Sequence, residues 1–262
     1  MKKLLETMEA WGKSSILEEL EDASSVDLSS FKINDSLEQN VWTEQKTLNP
    51  EVRHQLLSIA AQFWKSMDLP TIPIEDLTFT GSLANYNWSP YSDVDLHILV
   101  DYNDLPGNEE VLQALMNTKR SAWNNKHNIE IYGYEVEMYI QDSNEVHHST
   151  GVYSVLNDQW LVEPVKKDFK IDYDNVKLKA QHIMAQINKV EQLYDSGDYK
   201  SAIQDVDRLK DKIRKFRKCG LEQGGEYSPE NIAFKALRRN GYLKKLFDLK
   251  TLAYDKKMSL TV

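Results

Sequence analysis

Asp93 and Asp95 stand one residue apart at the start of a stretch in which apolar residues recur through Val100. The pattern predicts a β-strand from Asp93 to about Asp101. Successive side chains on a strand point to opposite faces, so the two carboxylates lie on one face. Carboxylates this close repel each other, and a divalent cation that prefers oxygen ligands, such as Mg²⁺, relieves the repulsion. The pair therefore predicts a metal site, with solvated carboxylates on an exposed strand as the alternative.

A second Asp-x-Asp pair, Asp205 and Asp207, shows why the strand matters. It falls within a predicted helix, where residues two apart do not face each other. These two carboxylates cannot share an ion, so the chemistry is expected at Asp93 and Asp95.

A Gly-Ser pair precedes the aspartates. Gly81 and Ser82 follow a short strand predicted over Asp76 to Thr80, and ten residues separate Ser82 from Asp93. Glycine lets the backbone approach a phosphate closely, serine adds a hydroxyl, and the N-terminus of a following helix would add amide donors. The pair predicts a phosphate site, and the alternative is an ordinary tight turn.

A later predicted strand, Tyr134 to Ile140, carries further acids. Glu135, Glu137 and Tyr139 share one of its faces. Transfer of a phosphate group with two metal ions about 3.5–4 Å apart calls for a third carboxylate, which completes a metal site and helps to deprotonate the attacking hydroxyl. Glu137 is favoured because it lies deeper in the strand, and Glu135 on the same face stays open.

In combination, Gly81-Ser82, the ten-residue spacer, Asp93-Val94-Asp95 and an acidic strand resemble the DNA polymerase beta-type nucleotidyltransferase superfamily over about residues 75–142. That superfamily includes poly(A) polymerases, tRNA CCA-adding enzymes, oligoadenylate synthases and toxins that nucleotidylylate proteins. The resemblance implies that Gly81 and Ser82 hold the phosphate tail of a nucleoside triphosphate. It also implies that Asp93 and Asp95 bind two Mg²⁺ or Mn²⁺ ions and that Glu137 completes one metal site.

The chain departs from the family's pattern in two respects. Its third acid is Glu137, where aspartate is more usual, and it has no arginine-aspartate template for CCA selection of the bacterial type. The identity of the third acid therefore stays open, and a dedicated CCA-adding enzyme is one option among several.

Longer stretches are similar to uncharacterised nucleotidyltransferase-like proteins of tailed bacteriophages. They run from Thr80 to Asn85, from Ser92 to His97, from Ser228 through Lys235 and over Tyr254-Asp255. We add Ser92 and Lys235 from these stretches to the candidate nucleotide-binding residues. A phage-encoded protein would act in the cytoplasm of its host, and the likeness implies no particular substrate.

Charge is divided unevenly along the chain. Residues 1–174 hold 13 basic and 30 acidic residues, a net charge of −17, whereas residues 175–262 hold 19 and 11, a net charge of +8. This division suggests an acidic lobe that can hold cations and a basic lobe that can attract phosphates. The basic lobe includes seven residues that could contact phosphates or form a solvated helix face: Lys210, Arg214, Arg217, Lys218, Lys235, Arg238 and Arg239.

Composition and patterning predict a globular α+β protein. The chain is 41% apolar and 28% charged, its apolar runs fall far short of the roughly 20 residues of a membrane span, and its single cysteine, Cys219, suits a reducing cytoplasm. We expect an acidic N-terminal arm over residues 1–45, with a short helix near Met1 to Leu20. A nucleotidyltransferase domain with a mixed sheet over residues 46–174 and a small basic helical domain over residues 175–262 follow.

Capping signals and apolar spacing predict the helices. Asn49-Pro50-Glu51 should start a helix that ends near Met67, and another helix is expected between Asn108 and Asn125. Beyond Asn175 two helical stripes flank a turn over Asp195 to Asp198, and Ser228-Pro229 starts a third helix.

Other side chains could assist at the site. His97 shares the face of the two aspartates and could orient Asp95, with a structural histidine as the alternative. Four aromatic residues could stack on a base or simply pack in the core: Tyr86, Trp88, Tyr91 and Tyr153.

The reaction expected from these features is attack of an acceptor hydroxyl on the α-phosphate of a nucleoside triphosphate, with release of pyrophosphate. An RNA 3′ end, tRNA included, is the first choice of acceptor because of the basic lobe. A protein hydroxyl or a small molecule is next. The competing hypothesis is a non-catalytic module that binds nucleotide or nucleic acid.

Overall fold

The computed structural model describes residues 28–69, 72–145, 149–166 and 170–260. The chain forms two compact units, one over Ser30–Asp168 and one that contains the helices between residues 173 and 258. The fold is α+β, as predicted, and the sheet-containing unit begins at residue 30 rather than 46. None of the helices in the described ranges has both the length and the apolar character to cross a membrane. The helix predicted near Met1 to Leu20 lies outside these ranges.

The first unit, the sheet unit, contains a mixed sheet of six strands. Its elements are α1 (Pro50–Ser66), β1 (Asp76–Thr80), β2 (Val94–Val100), α2 (Glu109–Lys126), β3 (Glu130–Ile131), β4 (Tyr134–Asp142), β5 (Val152–Ser154) and β6 (Gln159–Val162), with a 3₁₀ turn over Tyr102–Asp104. The strand order is β3-β4-β2-β1-β5-β6, and β2 pairs with β4 in parallel while the other neighbours are antiparallel. Parallel neighbours need a crossover connection, which α2 supplies. Strands β1, β2 and β4 match the strands predicted above, whereas β5 and β6 were not predicted.

The two faces of the central strands differ in character. Along β2, buried Val94 and Leu96 alternate with half-buried Asp95 and His97, as the sequence predicted. The apolar face packs with α1 and α2 in one core that includes Leu56, Phe63, Phe79, Leu96, Met116 and Met138. The opposite face of β1, β2 and β4 carries polar side chains and is called the polar face below.

Part of the predicted N-terminal arm belongs to the core of the sheet unit. Val41 and Trp42 are buried, and the indole N–H of Trp42 donates to the Leu83 carbonyl at 2.7 Å. The Trp42 ring also stacks on Phe79 of β1, with the ring centroids 5.5 Å apart. Residues 30–45 therefore help to build this unit. The buried residues of this segment lie in turns and do not recur at a regular spacing. The sequence pattern therefore predicted an arm rather than part of a folded unit.

The predicted start of α1 is confirmed at Pro50, but Asn49 does not cap the helix with its side chain. The Asn49 amide instead donates to the carbonyls of Gln39 at 3.2 Å and Asn40 at 2.6 Å. This asparagine therefore ties α1 to the segment before it.

The second unit, the helical unit, contains α3 (Tyr173–Asp195), α4 (Tyr199–Gly224), α5 (Pro229–Arg239) and α6 (Tyr242–Met258), with a 3₁₀ turn over Gly225–Tyr227. Most residues of the predicted stripes on α3 and α4 are buried, and only Tyr194, Ile203 and Phe216 are half-buried. The buried ones are Ile183, Ile187, Val190, Val206, Leu209 and Ile213. Ser228 caps α5 as predicted, because its hydroxyl accepts from the Asn231 N–H at 3.3 Å. The sequence did not predict α6, although its buried residues Leu243, Leu246 and Leu249 recur at helical spacing.

Gly220 lets α4 and the start of α5 approach closely. A β-carbon at this position would lie 2.5 Å from Glu230 Cβ and 2.8 Å from Ser228 Oγ. Glu230 in turn forms an ion pair with Lys179 of α3 at 2.7 Å. These contacts fix α5, which carries several of the basic residues noted above, against two other helices.

Candidate active site

The register of the sheet places two of the predicted acids, Asp95 and Glu137, next to each other. Thr80 at the end of β1 pairs with Asp95 of β2, and Asp95 pairs with Glu137 of β4. Neighbouring strands lie about 4.8 Å apart, and residues paired across them face the same side. Asp95 therefore lies between the end of β1 and Glu137. Asp93 precedes β2 by one residue and is half-buried.

The same register bears on the choice of third acid. Glu137 is half-buried beside Asp95, whereas Glu135 is exposed and pairs with Glu130 of β3, on the other side of β4. Both glutamates share a face of β4, as predicted, but Glu137 is the one opposite Asp95. The arrangement favours Glu137 as the partner of the Asp-x-Asp pair.

Gly81 is packed against the carboxylate of Asp95. Its φ is +80°, and a β-carbon built there would lie 1.9 Å from Asp95 Oδ2 and 3.0 Å from Asp95 Cγ. Glycine is required for both reasons, since other residues rarely adopt this backbone conformation and their side chains would displace the carboxylate. The sequence predicted a role for Gly81 in phosphate approach; this contact with Asp95 was not predicted.

Ser82 and Ser92 close the loop between β1 and β2. Their hydroxyl oxygens lie 2.7 Å apart, and Ser92 Oγ also accepts from the Ser89 N–H at 3.0 Å. Residues 81–93, all of which the structure describes, form turns, so no helix follows Gly81 to direct its N-terminus at a phosphate. The two candidate phosphate-binding serines are thus held together next to Gly81 and Asp93.

Tyr139 contacts the candidate third acid directly. Its hydroxyl donates to Glu137 Oε2 from two residues along β4. Burial raises the pKa of Tyr139, and so do the nearby charge of Asp95 and the hydrogen bond and charge of Glu137. The phenol therefore stays protonated and acts as a donor. Thr80 and Tyr139 were not among the predicted site residues, although both lie next to predicted ones in sequence or on the strand face.

His97 lies in the interior of the polar face. Its ring nitrogens lie 3.2 Å from Thr80 Oγ1 and 2.9 Å from Gln141 Oε1, and its ring stacks on Tyr139 with centroids 4.6 Å apart. The predicted role of orienting Asp95 stays a prediction. The observed contacts link the three central strands.

The donor set fits a divalent cation in residue type and backbone position. Asp93, Asp95 and Glu137 offer carboxylate oxygens, the ligands that Mg²⁺ prefers, and Asp95 and Glu137 are register neighbours. Among the described residues, no three His, Cys, Asp or Glu side chains stand close enough to form a ready metal-binding group. Binding of one ion by all three acids would therefore require their side chains to converge.

A basic cluster forms on α4 and α5 of the helical unit. The Arg217 guanidinium lies over the Phe234 ring, 4.4 Å from its centroid, and donates to Asn231 Oδ1 at 3.2 Å. Burial lowers the pKa of Lys235; Glu226 opposes the shift, and Arg239, Arg238 and Arg217 add to it. We call Arg217, Lys235, Arg238 and Arg239 the basic cluster.

The other three of the seven predicted basic residues contact side chains close to them in the helical unit. Arg214 and Lys218 lie 3.7 Å from acids of their own helix, Asp211 and Glu222, and Lys210 lies over the ring of Phe247. These three side chains resemble the solvated-face alternative more than a phosphate site.

The four aromatic candidates differ in how deeply they are buried. Tyr153 is fully buried beside Trp42 and Tyr86 is 8% exposed, so both pack in the core. Tyr91 is 54% exposed and Trp88 is half-buried, and these two remain candidates for stacking on a base.

No protein family, curated protein or solved structure matches the chain. Membership of the nucleotidyltransferase superfamily therefore stays a prediction from the motifs, and the function has to be argued from the geometry of the site.

Proposed function

We propose that the protein is a metal-dependent nucleotidyltransferase of the DNA polymerase beta-like kind. The observation that carries the proposal is the register of β1, β2 and β4, which aligns Thr80, Asp95 and Glu137 and leaves Gly81 against the Asp95 carboxylate. Neighbouring carboxylates on a half-buried face repel each other and do not help the fold. Such a cluster is expected where a reaction uses a cation.

The proposed reaction transfers a nucleoside monophosphate to an acceptor hydroxyl. The acceptor oxygen forms a bond to the α-phosphorus, the bond from that phosphorus to the oxygen bridging to the β-phosphate breaks, and pyrophosphate leaves. Asp93, Asp95 and Glu137 would hold Mg²⁺ or Mn²⁺, which stabilises the developing negative charge and lowers the pKa of the acceptor hydroxyl. Glu137 assists removal of the acceptor proton, and Gly81, Ser82 and Ser92 contact the triphosphate.

The basic cluster supports a phosphate-bearing substrate. Burial lowers the pKa of Lys235, and the three arginines of the cluster lie close enough to lower it further. A concentration of positive charge attracts nucleotides and nucleic acids. An RNA 3′ end remains the first choice of acceptor, and a protein hydroxyl is the second. The two can be separated by supplying each in the same assay.

The test is transfer by the full-length protein from each of the four labelled nucleoside triphosphates. We expect label to appear on RNA, or on protein, in the presence of Mg²⁺ or Mn²⁺ and to disappear when EDTA is added. Pyrophosphate release should match the label transferred. The assay includes both acceptor classes, so that a protein acceptor, including the protein itself, is detected as readily as RNA.

The competing hypothesis is a module that binds without catalysis. It would be supported if nucleotide or RNA bound measurably while no combination of nucleotide, metal and acceptor gave turnover. Such a result would contradict the proposed transfer reaction.

Lys235→Gln is expected to raise the KM for the phosphate-bearing substrate while kcat changes little. A hydrogen bond to a charged group contributes about 1.5–3 kcal/mol, which corresponds to a KM increase of about tenfold or more. Lys244→Gln is the matched control, because Lys244 lies in the same unit and forms a 2.6 Å ion pair with Asp248. Equal KM values for the two variants would argue against phosphate contact by Lys235.

A further inference from the structure

The Glu137 carboxylate receives a hydrogen bond from a side chain that has its own support. Tyr139 donates its hydroxyl to Glu137 Oε2, and the two side chains share the polar face of β4. Glutamate has three side-chain torsions, and holding them in one arrangement costs conformational entropy. A donor placed two residues along a rigid strand reduces the arrangements open to the carboxylate before any substrate binds.

The tyrosine ring is itself held by contacts from two other elements. The His97 ring of β2 stacks on Tyr139 with an interplanar angle of 11° and centroids 4.6 Å apart. The Arg120 guanidinium of α2 lies over the Tyr139 ring, 4.7 Å from its centroid. Stacking and cation–π contacts of this kind stabilise one ring orientation. The hydroxyl is therefore aimed at Glu137 by the packing of its ring.

His97 connects this support to the strand that ends at Gly81. One ring nitrogen lies 3.2 Å from Thr80 Oγ1, and the other lies 2.9 Å from Gln141 Oε1 of β4. Thr80 is in turn the register partner of Asp95. His97 therefore connects Tyr139, which contacts Glu137, to Thr80, the residue paired with Asp95.

We propose that Tyr139 is a positioning residue that restricts the Glu137 carboxylate on the polar face, at the register position next to Asp95, with His97 and Arg120 fixing the Tyr139 ring. The inference rests on the proposed function and gives it a residue that acts through Glu137 without touching the substrate. Residues that orient metal-binding side chains typically change metal affinity or activity about 10–100-fold when replaced.

The first experiment replaces the hydroxyl and keeps the ring. In the full-length protein, Tyr139→Phe should lower kcat about tenfold, change the KM for the nucleoside triphosphate less than twofold and raise the Mn²⁺ concentration needed for half-maximal rate. Tyr134→Phe is the matched control, because Tyr134 is a buried tyrosine of the same strand and faces the opposite side of the sheet. The control should have wild-type kinetics.

A second experiment measures the contact itself. Unfolding by urea is compared for wild type, Tyr139→Phe, Glu137→Ala and the double variant. If the hydroxyl acts through Glu137, its removal should change the unfolding equilibrium constant about tenfold in the wild-type background and much less in the Glu137→Ala background.

The two experiments distinguish the possible failures. The effects of Tyr139→Phe and Glu137→Ala on unfolding could be coupled while the wild type shows no transfer activity. That result would contradict the proposed function and still support the contact between Tyr139 and Glu137. An active wild type with unchanged kcat in Tyr139→Phe would overturn the positioning role. Independent effects of Tyr139→Phe and Glu137→Ala on unfolding would also overturn it.

Discussion

Replacement of Asp93 and Asp95 together by alanine is expected to lower nucleotidyl transfer at least about 10³-fold. Metal ions contribute several kcal/mol of transition-state stabilisation in such reactions, and each 1.36 kcal/mol corresponds to a factor of ten. The measurement is the initial rate of label transfer at saturating nucleotide and metal. A variant that kept more than a tenth of the wild-type rate would exclude these carboxylates from the chemistry.

The same variant should remain folded in metal-free buffer. Asp95 lies beside Glu137, and removal of one member of a like-charged pair relieves repulsion. Addition of Mg²⁺ should raise the unfolding temperature of the wild type and leave that of the variant unchanged, because a ligand stabilises only the form that binds it. Thermal unfolding with and without Mg²⁺ therefore separates loss of the site from loss of the fold.

The chain offers a matched control in its second Asp-x-Asp pair. On α4, Asp205 pairs with Arg208, and Asp207 pairs with Lys250 at 2.5 Å. Exposed ion pairs of this kind contribute about 0–1 kcal/mol each. Asp205→Ala with Asp207→Ala should therefore reduce stability slightly, with no effect on transfer and no change in the response to Mg²⁺.

Gly81→Ala is expected to have the second largest effect, a loss of about 100-fold in kcat. The new methyl group would lie 1.9 Å from Asp95 Oδ2, so either the carboxylate or the loop has to move. Displacement of a reacting group by about 1 Å can cost about 100-fold in rate. The φ of +80° adds a folding penalty of about 1–2 kcal/mol, to be measured by urea unfolding.

Gly133→Ala separates the backbone penalty from the clash. Gly133 has a similar φ of +84°, and a β-carbon there would meet nothing within 4 Å. This variant should lose about the same 1–2 kcal/mol of stability and keep its activity. If both glycine variants lost activity alike, destabilisation rather than displacement of Asp95 would explain the result.

Local pattern predicted the strands of the site well, because alternation is a property of consecutive residues. The burial of Val94 and Leu96 against half-buried Asp95 follows from their order along β2. The same reasoning predicted which face of β4 carries Glu137. It could not distinguish Glu135 from Glu137, because both fit the alternation. Only their pairing with different neighbouring strands distinguishes them.

Features that depend on residues far apart in the chain were not predictable in this way. The packing of Asp95 against Gly81, the reach of Arg120 to Tyr139 and the burial of Trp42 against Phe79 all require the folded sheet. Short strands such as β5 give too few residues for a period to show. Asn49 illustrates a competing effect, because tertiary hydrogen bonds occupied a side chain that the local pattern assigned to a helix cap.

The contact between Ser82 and Ser92 has a consequence for how the loop between them can vary. The two hydroxyl groups are only 2.7 Å apart, and they join the two ends of the nine-residue loop 83–91. The entropic cost of bringing the two ends of a flexible loop together rises by only about 0.6 kcal/mol when the loop doubles in length. An insertion at the exposed residues Pro90 and Tyr91 could therefore change which substrates a related protein recognises, while buried Leu83 and Tyr86 keep the rest of the loop in place beside Gly81 and Asp93.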